Sequence, residues 1–491
     1  MKKIQLVYGM EFQKEIPTTE NRLKVIAKRF SCLFVFLFLL STRAAYSQDA
    51  LIRNISLKEF IKQAYENDTV FKEILIDQLN LKYQKALKIP AGDLVISVTN
   101  QYNTYLDIDE SEVDNSLSLS KLFPYFGTTF SADYTSSVSS TSRAISSELD
   151  AYISQPIAEN AFGRDSRLLG KIVGIEIDVA RYQIIEAYED YLASLIQIYL
   201  DWYSAYKSVE TAQNSYQENM RLLENIKQRQ RSNIALPIDV NKVNLQVLAK
   251  KENLISLENQ YAQYLNMVKQ ALRYKEETGL QPQDPRLYDN TVIDFDDGYA
   301  QFCLGSRTYQ VLSLLEEKSS LQVDRDADKL LPSIELKVGY LIEGNEYDLR
   351  QKEKTVYGKV EMEWPIIGQQ ERAQHKLSKI AHQKQQLSNQ GTYANLHTNL
   401  KNVYDAIERE RQLIAIADEK ISLSEDILKD ETKNYSYGKV TLNDYIDEIN
   451  KLEDNKFNKL THAVQLRKLI IEWMRLTDKM VTKDEARELT P

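Results

Sequence analysis

Two aspartates near the carboxyl end of the chain have the type and spacing to act on ions. Asp444 and Asp447 lie three residues apart in a segment with helical periodicity, so both side chains fall on one helix face. Carboxylates grouped in this way attract cations and exchange protons. The simpler interpretation is a helix N-terminal acid that the macrodipole stabilises, and we favour it for Asp239, which occupies the matching place earlier in the chain.

Catalytic chemistry has little support in the sequence. The four histidines lie in helical stretches, and none accompanies a metal-ligand cysteine or a second histidine at i+3 or i+4. They are His375, His382, His397 and His462. The sequence contains no glycine-rich phosphate loop and no nucleophile elbow. We therefore expect no enzyme activity, no catalytic residues, no metal site and no cofactor.

The amino terminus predicts export. Basic residues precede an apolar run at 33–40, and Ala45-Tyr46-Ser47 offers the small residues that a signal peptidase reads. A membrane-spanning helix needs about 20 apolar residues, which is roughly twice this run. We therefore expect residues 1–47 to be a signal peptide.

The charge and cysteine content of the mature chain exclude two further classes. Removing the leader takes away eight Lys/Arg and three Asp/Glu and lowers the net charge from −9 to −14. An acidic chain without a basic block has no electrostatic reason to bind nucleic acid. Cys303 is the one cysteine left, so we expect no intrachain disulfide in an oxidising compartment.

The mature sequence contains an internal duplication. Pro156 corresponds to Pro365 and Asp239 to Asp444, with Pro-to-Asp separations of 83 and 79 residues. The 15 glycines and 10 prolines of the chain are few, which favours a small number of very long helices over several compact domains. Because such hairpins are too long for one globular core, the duplication implies assembly from several chains.

Each repeat is predicted to contain a helix, alternating strands and a long helical hairpin. The first repeat covers 48–274 and the second 304–478, with a loop segment at 275–303 between them and a tail at 479–491. The predicted helices are 56–88, 164–233, 238–273, 306–330, 370–437 and 444–476, the hairpins are 164–273 and 368–477, and the strands lie within 94–157 and 333–364. Helices of this length extend about 100 Å.

The predicted strands alternate between apolar and polar side chains. In the second repeat Ile334, Leu336 and Val338 form one apolar row. A half-buried sheet on a soluble core has the same pattern, but these strands come in pairs, lie between helices too long to cover them, and belong to an exported chain. A closed membrane barrel with apolar side chains outward satisfies every backbone group without helices.

The order of elements, the segment SQPIAENAFGR (154–164) and the reversal YSYGKVTLNDYIDEINKLEDNK (435–456) resemble the TolC family of outer-membrane efflux and secretion ducts over residues 53–478. The resemblance implies a mainly α fold with membrane β structure. In that family three chains each add four strands to a twelve-stranded β-barrel, which continues into a coiled-coil tunnel of twelve helices. We therefore expect a homotrimer in contact with outer-membrane lipid, with its helical tunnel in the periplasm.

The resemblance also implies a function and partners. Such a channel passively exports the substrates of an inner-membrane pump, of the RND or ABC type, to which a periplasmic adaptor protein joins it. An iris-like opening of the periplasmic helix tip gates the path. The chain is thus expected to be the exit duct of a tripartite efflux or type I secretion system.

The resemblance assigns a gate and a latch at the tip. Asp444 and Asp447 match aspartates that ring the closed tunnel, where three copies would gather six carboxylates and make closure depend on protonation or a bound cation. Relatives often latch the tip with an arginine four residues before the first aspartate, and this chain has Val440 there. The candidate latch residues are then Tyr435 and Lys439.

Other motif positions mark the helix reversals and the transition from barrel to helix. They are Asn233, Pro237, Asp239 and Gly438 for the reversals, and Pro156 and Pro365 for the transition. The family places a glycine six residues before the aspartate, and Asn233 replaces it in the first repeat. Since asparagine tolerates the left-handed conformation at a helix end, we expect that turn to form.

The first repeat is longer than the second in its strand region. The prolines that flank the strands, Pro90 and Pro156, are 66 residues apart, whereas Pro332 and Pro365 in the second repeat are 33 apart. The 33 additional residues are room for one further strand pair. Either 94–122 contains an extra hairpin outside the barrel, or the barrel strands are 127–157 with long ends. The sequence leaves both arrangements open.

Two other classes compete with the channel. A periplasmic adaptor also has a long helical hairpin, but it carries one hairpin flanked by compact, glycine-rich β domains, whereas this chain has two hairpins and few glycines. A structural coiled-coil protein does not explain the alternating strands.

Overall fold

The computed structural model describes residues 53–107, 110–140, 145–274, 279–285, 293–345, 347, 349 and 353–481. The predicted signal peptide and nearly all of the predicted tail lie outside the described residues. The chain forms a small unit, which includes Arg53, Gly279 and Leu280, and a large one of residues 54–275 and 281–491. In the described part, no helix is at once long and apolar enough to cross a membrane.

Eight strands and eight α-helices are numbered along the described residues. The strands are β1 (Arg53–Ile55), β2 (Leu94–Tyr105), β3 (Glu110–Phe123), β4 (Thr128–Ser139), β5 (Ile145–Pro156), β6 (Leu280–Pro282), β7 (Ser333–Gly344) and β8 (Glu353–Glu363). The helices are α1 (Leu57–Asn67), α2 (Thr69–Lys88), α3 (Arg164–Arg231), α4 (Pro237–Leu272), α5 (Phe295–Gly305), α6 (Arg307–Asp328), α7 (Gln369–Ser436) and α8 (Leu442–Leu476). A short 3₁₀ turn, Ala161–Gly163, precedes α3.

The duplication predicted from the sequence is present in the lengths of the helices. Helices α3 and α7 both have 68 residues, while their return helices α4 and α8 have 36 and 35. At 1.5 Å per residue each long helix extends about 100 Å. The two repeats therefore differ mainly in their strands.

The first predicted helix, 56–88, is wrong as a single element. Ser56 and Glu59 form the predicted capping box, but the helix breaks at Asp68, whose backbone is extended. The Asp68 carboxylate accepts the N–H of Val70 at 3.1 Å and the hydroxyl of Tyr191 at 2.9 Å. The break thus lets one aspartate cap α2 and anchor it to α3.

The segment 275–303 also differs from the predicted loop. It contains the short strand β6 and helix α5, which begins with Asp294 accepting the N–H of Asp297 at 2.8 Å. Helix α5 packs so closely on α8 that a Cβ on Gly298 would lie 2.6 Å from the Trp473 ring. Because this packing is a contact between distant parts of the sequence, local composition did not reveal it.

Six strands form one antiparallel sheet in the order β2-β3-β4-β5-β7-β8. The prediction of one strand pair per repeat is correct for the second repeat, whereas the first contributes two pairs. The additional hairpin at 94–122 is continuous with the sheet, since β3 pairs with β4 over twelve residues from Glu112–Ser139 to Phe123–Thr128. The sheet of one chain therefore has six strands, two more than the four per chain that the resemblance implies for the barrel.

The sheet has one apolar and one polar face across all six strands. The register aligns Val98 of β2 with Leu117 of β3, and Leu117 with Tyr134 of β4, so that apolar side chains of neighbouring strands share a face. Asn100 and Asn115 interrupt this face and hydrogen-bond to each other. The opposite face of the same strands carries serine, threonine and acidic side chains.

The helices of the large unit contact one another in two rows that share the long helices. Near the sheet the order of contacts is α2-α3-α6-α7, and near the reversals it is α4-α3-α8-α7. Two shorter helices, α2 and α4, therefore lie along α3, as α6 and α8 lie along α7. Aromatic side chains such as Phe60, Tyr199 and Trp202 fill the core beside α3.

A close backbone approach joins the sheet to α3. The turn between β3 and β4 lies against the start of α3, where a Cβ on Gly163 would be 2.6 Å from the Tyr125 carbonyl oxygen. A Cβ on Gly127 would be 2.8 Å from the Gly163 nitrogen, and both glycines have positive φ. Arg167 also donates to the Tyr125 carbonyl at 3.0 Å.

We expect Gly163→Ala and Gly127→Ala to destabilise the protein, because each adds a Cβ at a positive φ and against backbone atoms that cannot move aside. Each should cost at least about 1–3 kcal/mol. Gly174→Ala is the matched control, since Gly174 lies within α3 with no atom within 4 Å of an added Cβ; it should be neutral or stabilise by up to about 1 kcal/mol. Thermal unfolding in detergent measures the effect, and equal midpoints for all three variants would contradict the prediction.

Candidate functional site

The candidate gate lies where the second long helix, α7, reverses, and α3 reverses in the same way in the first repeat. Asn233 and Gly438 both adopt left-handed conformations, with φ of 62° and 68°. In each reversal the following N–H bonds a carbonyl five residues back, from Ile234 to Arg229 at 2.8 Å and from Lys439 to Asn434 at 2.9 Å. The two reversals therefore share one geometry, that of a Schellman turn, although one uses asparagine and the other glycine.

The return helices begin with equivalent aspartates. Pro237 is the first residue of α4, and Asp239 accepts the N–H of Leu236 at 3.1 Å. Asp444 accepts the N–H of Thr441 at 3.1 Å and its hydroxyl at 2.7 Å. Both aspartates therefore cap a helix in this conformation.

The hydrogen bonds from Thr441 hold the pKa of the Asp444 carboxyl below its ordinary value. For a carboxyl with a depressed folded pKa, the stabilisation is present above the unfolded pKa and is lost as the pH falls through the folded pKa. The cap of α8 is therefore intact at neutral pH and weakens at acid pH.

The other predicted gate and latch residues lie on the exposed side of the tip. Asp447 is exposed one turn after Asp444. Lys439 is also exposed, with its ammonium 5.9 Å from the Tyr437 ring, and Val440 is half-buried. Three of the predicted residues therefore come together within one reversal, while Tyr435 makes a different contact.

Tyr435 links the two hairpins of the same chain. The Arg229 guanidinium, from the end of α3, lies 4.8 Å from the Tyr435 ring centre, and Tyr445 stacks on that ring at 5.3 Å. Burial raises the pKa of the Tyr435 hydroxyl. Sequence reasoning missed Arg229, because nothing local to it indicates a partner 206 residues away.

A buried polar cluster continues this link away from the tip. Glu453 of α8 is 7% exposed and accepts from Lys250 of α4 at 2.6 Å and from Ser215 of α3 at 2.5 Å. Nearer the tip Gln246 donates to Asn450 at 2.7 Å. Three helices are thus joined by polar contacts close to the candidate gate.

The predicted transition residues stand just before the long helices. Pro156 ends β5 and pairs with Glu335, and Pro365 follows β8. The helices themselves begin after glycines with positive φ, Gly163 and Gly368. The glycines, which the sequence analysis did not single out, therefore set the direction of each helix, and the prolines end the strands.

The polar face of the sheet is strongly acidic. Among the strand side chains that the structure describes, this face carries ten carboxylates against Lys337 and Lys359. The carboxylates are Glu112, Asp114, Asp133, Glu148, Asp150, Glu335, Glu343, Glu353, Glu361 and Glu363. Both lysines contact Glu361, Lys337 at 2.5 Å. A water-filled space lined by this face would favour cations.

Two of the histidines make polar contacts between helices. His382 lies 2.7 Å from the Ser319 hydroxyl, and His462 lies 2.7 Å from Glu410. Among the described residues, no group of three His, Cys, Asp or Glu side chains is arranged to hold a metal ion.

Solved structures with a similar fold include outer-membrane channels. MtrE of Neisseria gonorrhoeae, in its open state, is 11% identical to this chain with a TM-score of 0.66, over 87% of this chain and 90% of MtrE. CmeC of Campylobacter jejuni is 12% identical with a TM-score of 0.64, over 91% of this chain and 94% of CmeC. The chain has the TolC-type fold. This confirms the fold family predicted from the sequence.

The TolC-type fold is shared at low sequence identity. The outer-membrane protein VceC of Vibrio cholerae is also 12% identical, with a TM-score of 0.63, over 86% of this chain and 95% of VceC. No family model and no curated protein sequence matches the chain. The likeness is therefore one of fold, extending over nearly the whole of each structure.

We expect Lys250→Met to destabilise the packing of the hairpins, because it leaves the buried Glu453 carboxylate without its cation. Breaking a buried pair in this way costs about 3–5 kcal/mol. Adding Glu453→Gln should restore part of the loss, since the buried charge is then removed.

Lys433→Met is the control. Its partner Asp430 is exposed and 3.4 Å away, so the change should stay within about 0.5 kcal/mol. Chemical denaturation followed by circular dichroism measures all variants. Equal losses from Lys250→Met and Lys433→Met would contradict a structural role for the buried pair.

Proposed function

We propose that the protein is the outer-membrane exit duct of a tripartite efflux or type I secretion system. One observation carries the proposal: a single amphipathic sheet leads, at one end, into two helical hairpins of about 100 Å. The TolC-type fold of the outer-membrane channels supports it. Substrates would cross the outer membrane and the periplasm passively through this one path.

The sheet has the properties of a membrane barrel wall. Its six strands have 11 to 14 residues, enough for tilted strands to span a bilayer. Aromatic side chains flank the apolar face, with Tyr102 toward one end and Phe123, Phe126 and Trp364 toward the other. Aromatic girdles of this kind lie at the two membrane interfaces of such barrels. The acidic face would then line the channel.

Exposed apolar side chains on the helices at the ends of the two rows support a homotrimer. The outer helices α2, α4 and α7 carry exposed apolar side chains at spacings of three, four and seven residues, which is the pattern of coiled-coil seams. They include Ile76, Leu79, Tyr83 and Leu87 of α2, Leu245, Leu248 and Ile255 of α4, and Leu377, Ile380, Leu387, Ile416, Leu423 and Ile427 of α7. A second copy of the chain would bury these seams, and three copies of a four-helix row make a tunnel of twelve.

The tip is proposed to gate the channel by an iris-like movement. Three copies of Asp444 and Asp447 would surround the axis, and an adaptor that joins the duct to an inner-membrane RND or ABC pump would open it. The contact of Arg229 with Tyr435 ties the two hairpins of a chain to each other. Opening therefore requires either that both hairpins move together or that this contact breaks.

Outer-membrane fractions should contain the protein as a trimer of chains of 56.9 kDa or less, the mass of the whole sequence. Unboiled samples should migrate as the assembly and boiled samples as the single chain, because a closed barrel resists detergent until it is heated. Recovery as a soluble periplasmic monomer would contradict the channel and favour an adaptor.

In planar bilayers Asp447→Asn should lower cation selectivity and weaken block by divalent cations, because it removes three charges from the axis of the trimer. Asp444→Asn should do the same and also weaken the helix cap.

Asp239→Asn is the matched control for the gate. Asp239 caps α4 as Asp444 caps α8, but the residue three positions on is Lys242 rather than an aspartate. If all three variants change conductance equally, the effect is not specific to Asp444 and Asp447, and the gate assignment is wrong.

A further inference from the structure

We propose that strand β2 of one chain pairs with β8 of the next, so that three chains close an eighteen-stranded barrel. This inference rests on the proposed membrane channel and concerns which surface of the chain forms its wall. The partner is a second copy of this chain, and the surfaces are the two outer strands of the six-stranded sheet.

Within the six-stranded sheet of one chain, β2 and β8 are the two edge strands available for pairing with a neighbouring chain. A twelve-stranded barrel would need β8 of the neighbour to pair with β4, but β4 already pairs with β3 along its whole length. The turn between β3 and β4 is also held by two side chains: Gln155 of β5 donates to the Phe126 carbonyl at 3.1 Å, and Arg167 of α3 donates to the Tyr125 carbonyl at 3.0 Å. The hairpin of β2 and β3 is therefore built into the wall.

The faces of this hairpin match the remainder of the wall. Ile96 and Val98 of β2 lie on the same face as Val360 and Met362 of β8, and all four are more than half exposed. The other face of β2 carries four polar side chains, Ser97, Thr99, Gln101 and Asn103, with Val95 and Tyr105 toward its two ends. A hairpin outside the barrel would have no reason to keep lipid-facing and channel-facing sides in phase with the other four strands.

The helices and the strands place the boundary between neighbouring chains at the same two sides of the chain. Helices α2 and α7 form the two ends of the helix row near the sheet, and each carries an exposed apolar seam. A short link joins α2 to β2, from Lys88 to Leu94, and another joins β8 to α7, from Glu363 to Gln369. If α2 packs on α7 of the neighbour, β2 lies directly beside the neighbour's β8.

The ends of the strands define the register of this interface. Because β2 and β8 run in opposite directions, aligning both ends places Tyr105 opposite Glu353 and Val98 opposite Val360. This register keeps apolar side chains with apolar ones, and a slip of one residue would place polar side chains in lipid. The acidic residues of β8 then face uncharged side chains of β2, such as Ser97 opposite Glu361, so no like charges meet.

The resulting barrel has ordinary geometry. Residues that pair across neighbouring strands form a row from Leu94 of β2 to Gly358 of β8. In the proposed register Gly358 pairs with Asn100 of the next chain, which lies six residues further along β2 than Leu94. The strand register therefore shifts by six residues over six strands. A register shift of one residue per strand corresponds to a strand tilt of about 35° from the barrel axis, which is usual for β-barrels. Eighteen such strands have a perimeter of about 110 Å. Twelve helices packed side by side have about 100–120 Å, so wall and tunnel match.

Disulfide cross-linking in outer-membrane fractions tests the pairing. In the full chain with Cys303→Ser, we expect Val98→Cys with Val360→Cys to form, on oxidation, a covalent trimer that survives boiling and disappears on reduction. Thr99→Cys with Lys359→Cys uses the same register on the channel face, where oxidant has access. Each single-cysteine variant should remain a monomer on boiling.

A matched pair tests the twelve-stranded alternative. Aligning the ends of β4 and β8 places Ala132 opposite Val360, so Ala132→Cys with Val360→Cys should cross-link only if β4 is the edge of the chain. Within one chain two strands separate these residues, which prevents an internal disulfide. Val98→Cys with Val356→Cys is shifted along the strand by about 13 Å and should not cross-link.

The outcomes separate this inference from the proposed function. Covalent trimers from both β2–β8 pairs, with none from Ala132–Val360, support eighteen strands. Covalent trimers from Ala132–Val360, or no cross-link in a trimer found in the outer membrane, would overturn the inference while the channel remains. A product that stops at two chains under complete oxidation would overturn the strand count. Recovery of all variants as soluble protein would overturn both proposals.

Discussion

One constraint decides this structure: every backbone N–H and C=O group of its amphipathic sheet needs a hydrogen-bond partner. The helices of the chain do not cover the apolar face of the six-stranded sheet, because they extend away from the ends of the strands. The sheet also has open edges at β2 and β8. Unpaired edges and a broad exposed apolar face are costly for a soluble monomer. A closed barrel in lipid removes both costs at once. The strand pattern therefore favours the proposed assembly of several chains.

The connection between sheet and helices is rigid where the first repeat is longest. Gly127 and Gly163 bring two backbones together more closely than side chains would permit, and the left-handed conformations before α3 and α7 turn the chain from strand to helix. The additional hairpin is thereby placed beside the other strands. The two repeats therefore have long helices of equal length but contribute different numbers of strands to the sheet.

At the opposite end, the contacts within one chain constrain how the tip can move. Arg229 with Tyr435 and Lys250 with Glu453 join the first hairpin to the second, and the Lys250 contact is buried. Buried polar contacts of this kind are costly to break singly, because the partner left behind remains unpaired. A gate that opens by moving whole chains relative to one another leaves these contacts intact, whereas one that separates the hairpins must break them.

The sequence by itself determined the local elements and their repetition. Helical periodicity and the capping residues placed α3, α4, α7 and α8 within about two residues of their observed ends, because those signals are local. It did not reveal the break at Asp68, the helix at Phe295–Gly305, or Arg229 as a partner of Tyr435, since each depends on packing against distant residues. The extra residues at 94–122 were recognised as room for two strands, but their place in the sheet was not. Only the tertiary structure decided it, because strand pairing joins residues far apart in sequence and the alternation of side chains is the same whichever neighbour a strand has.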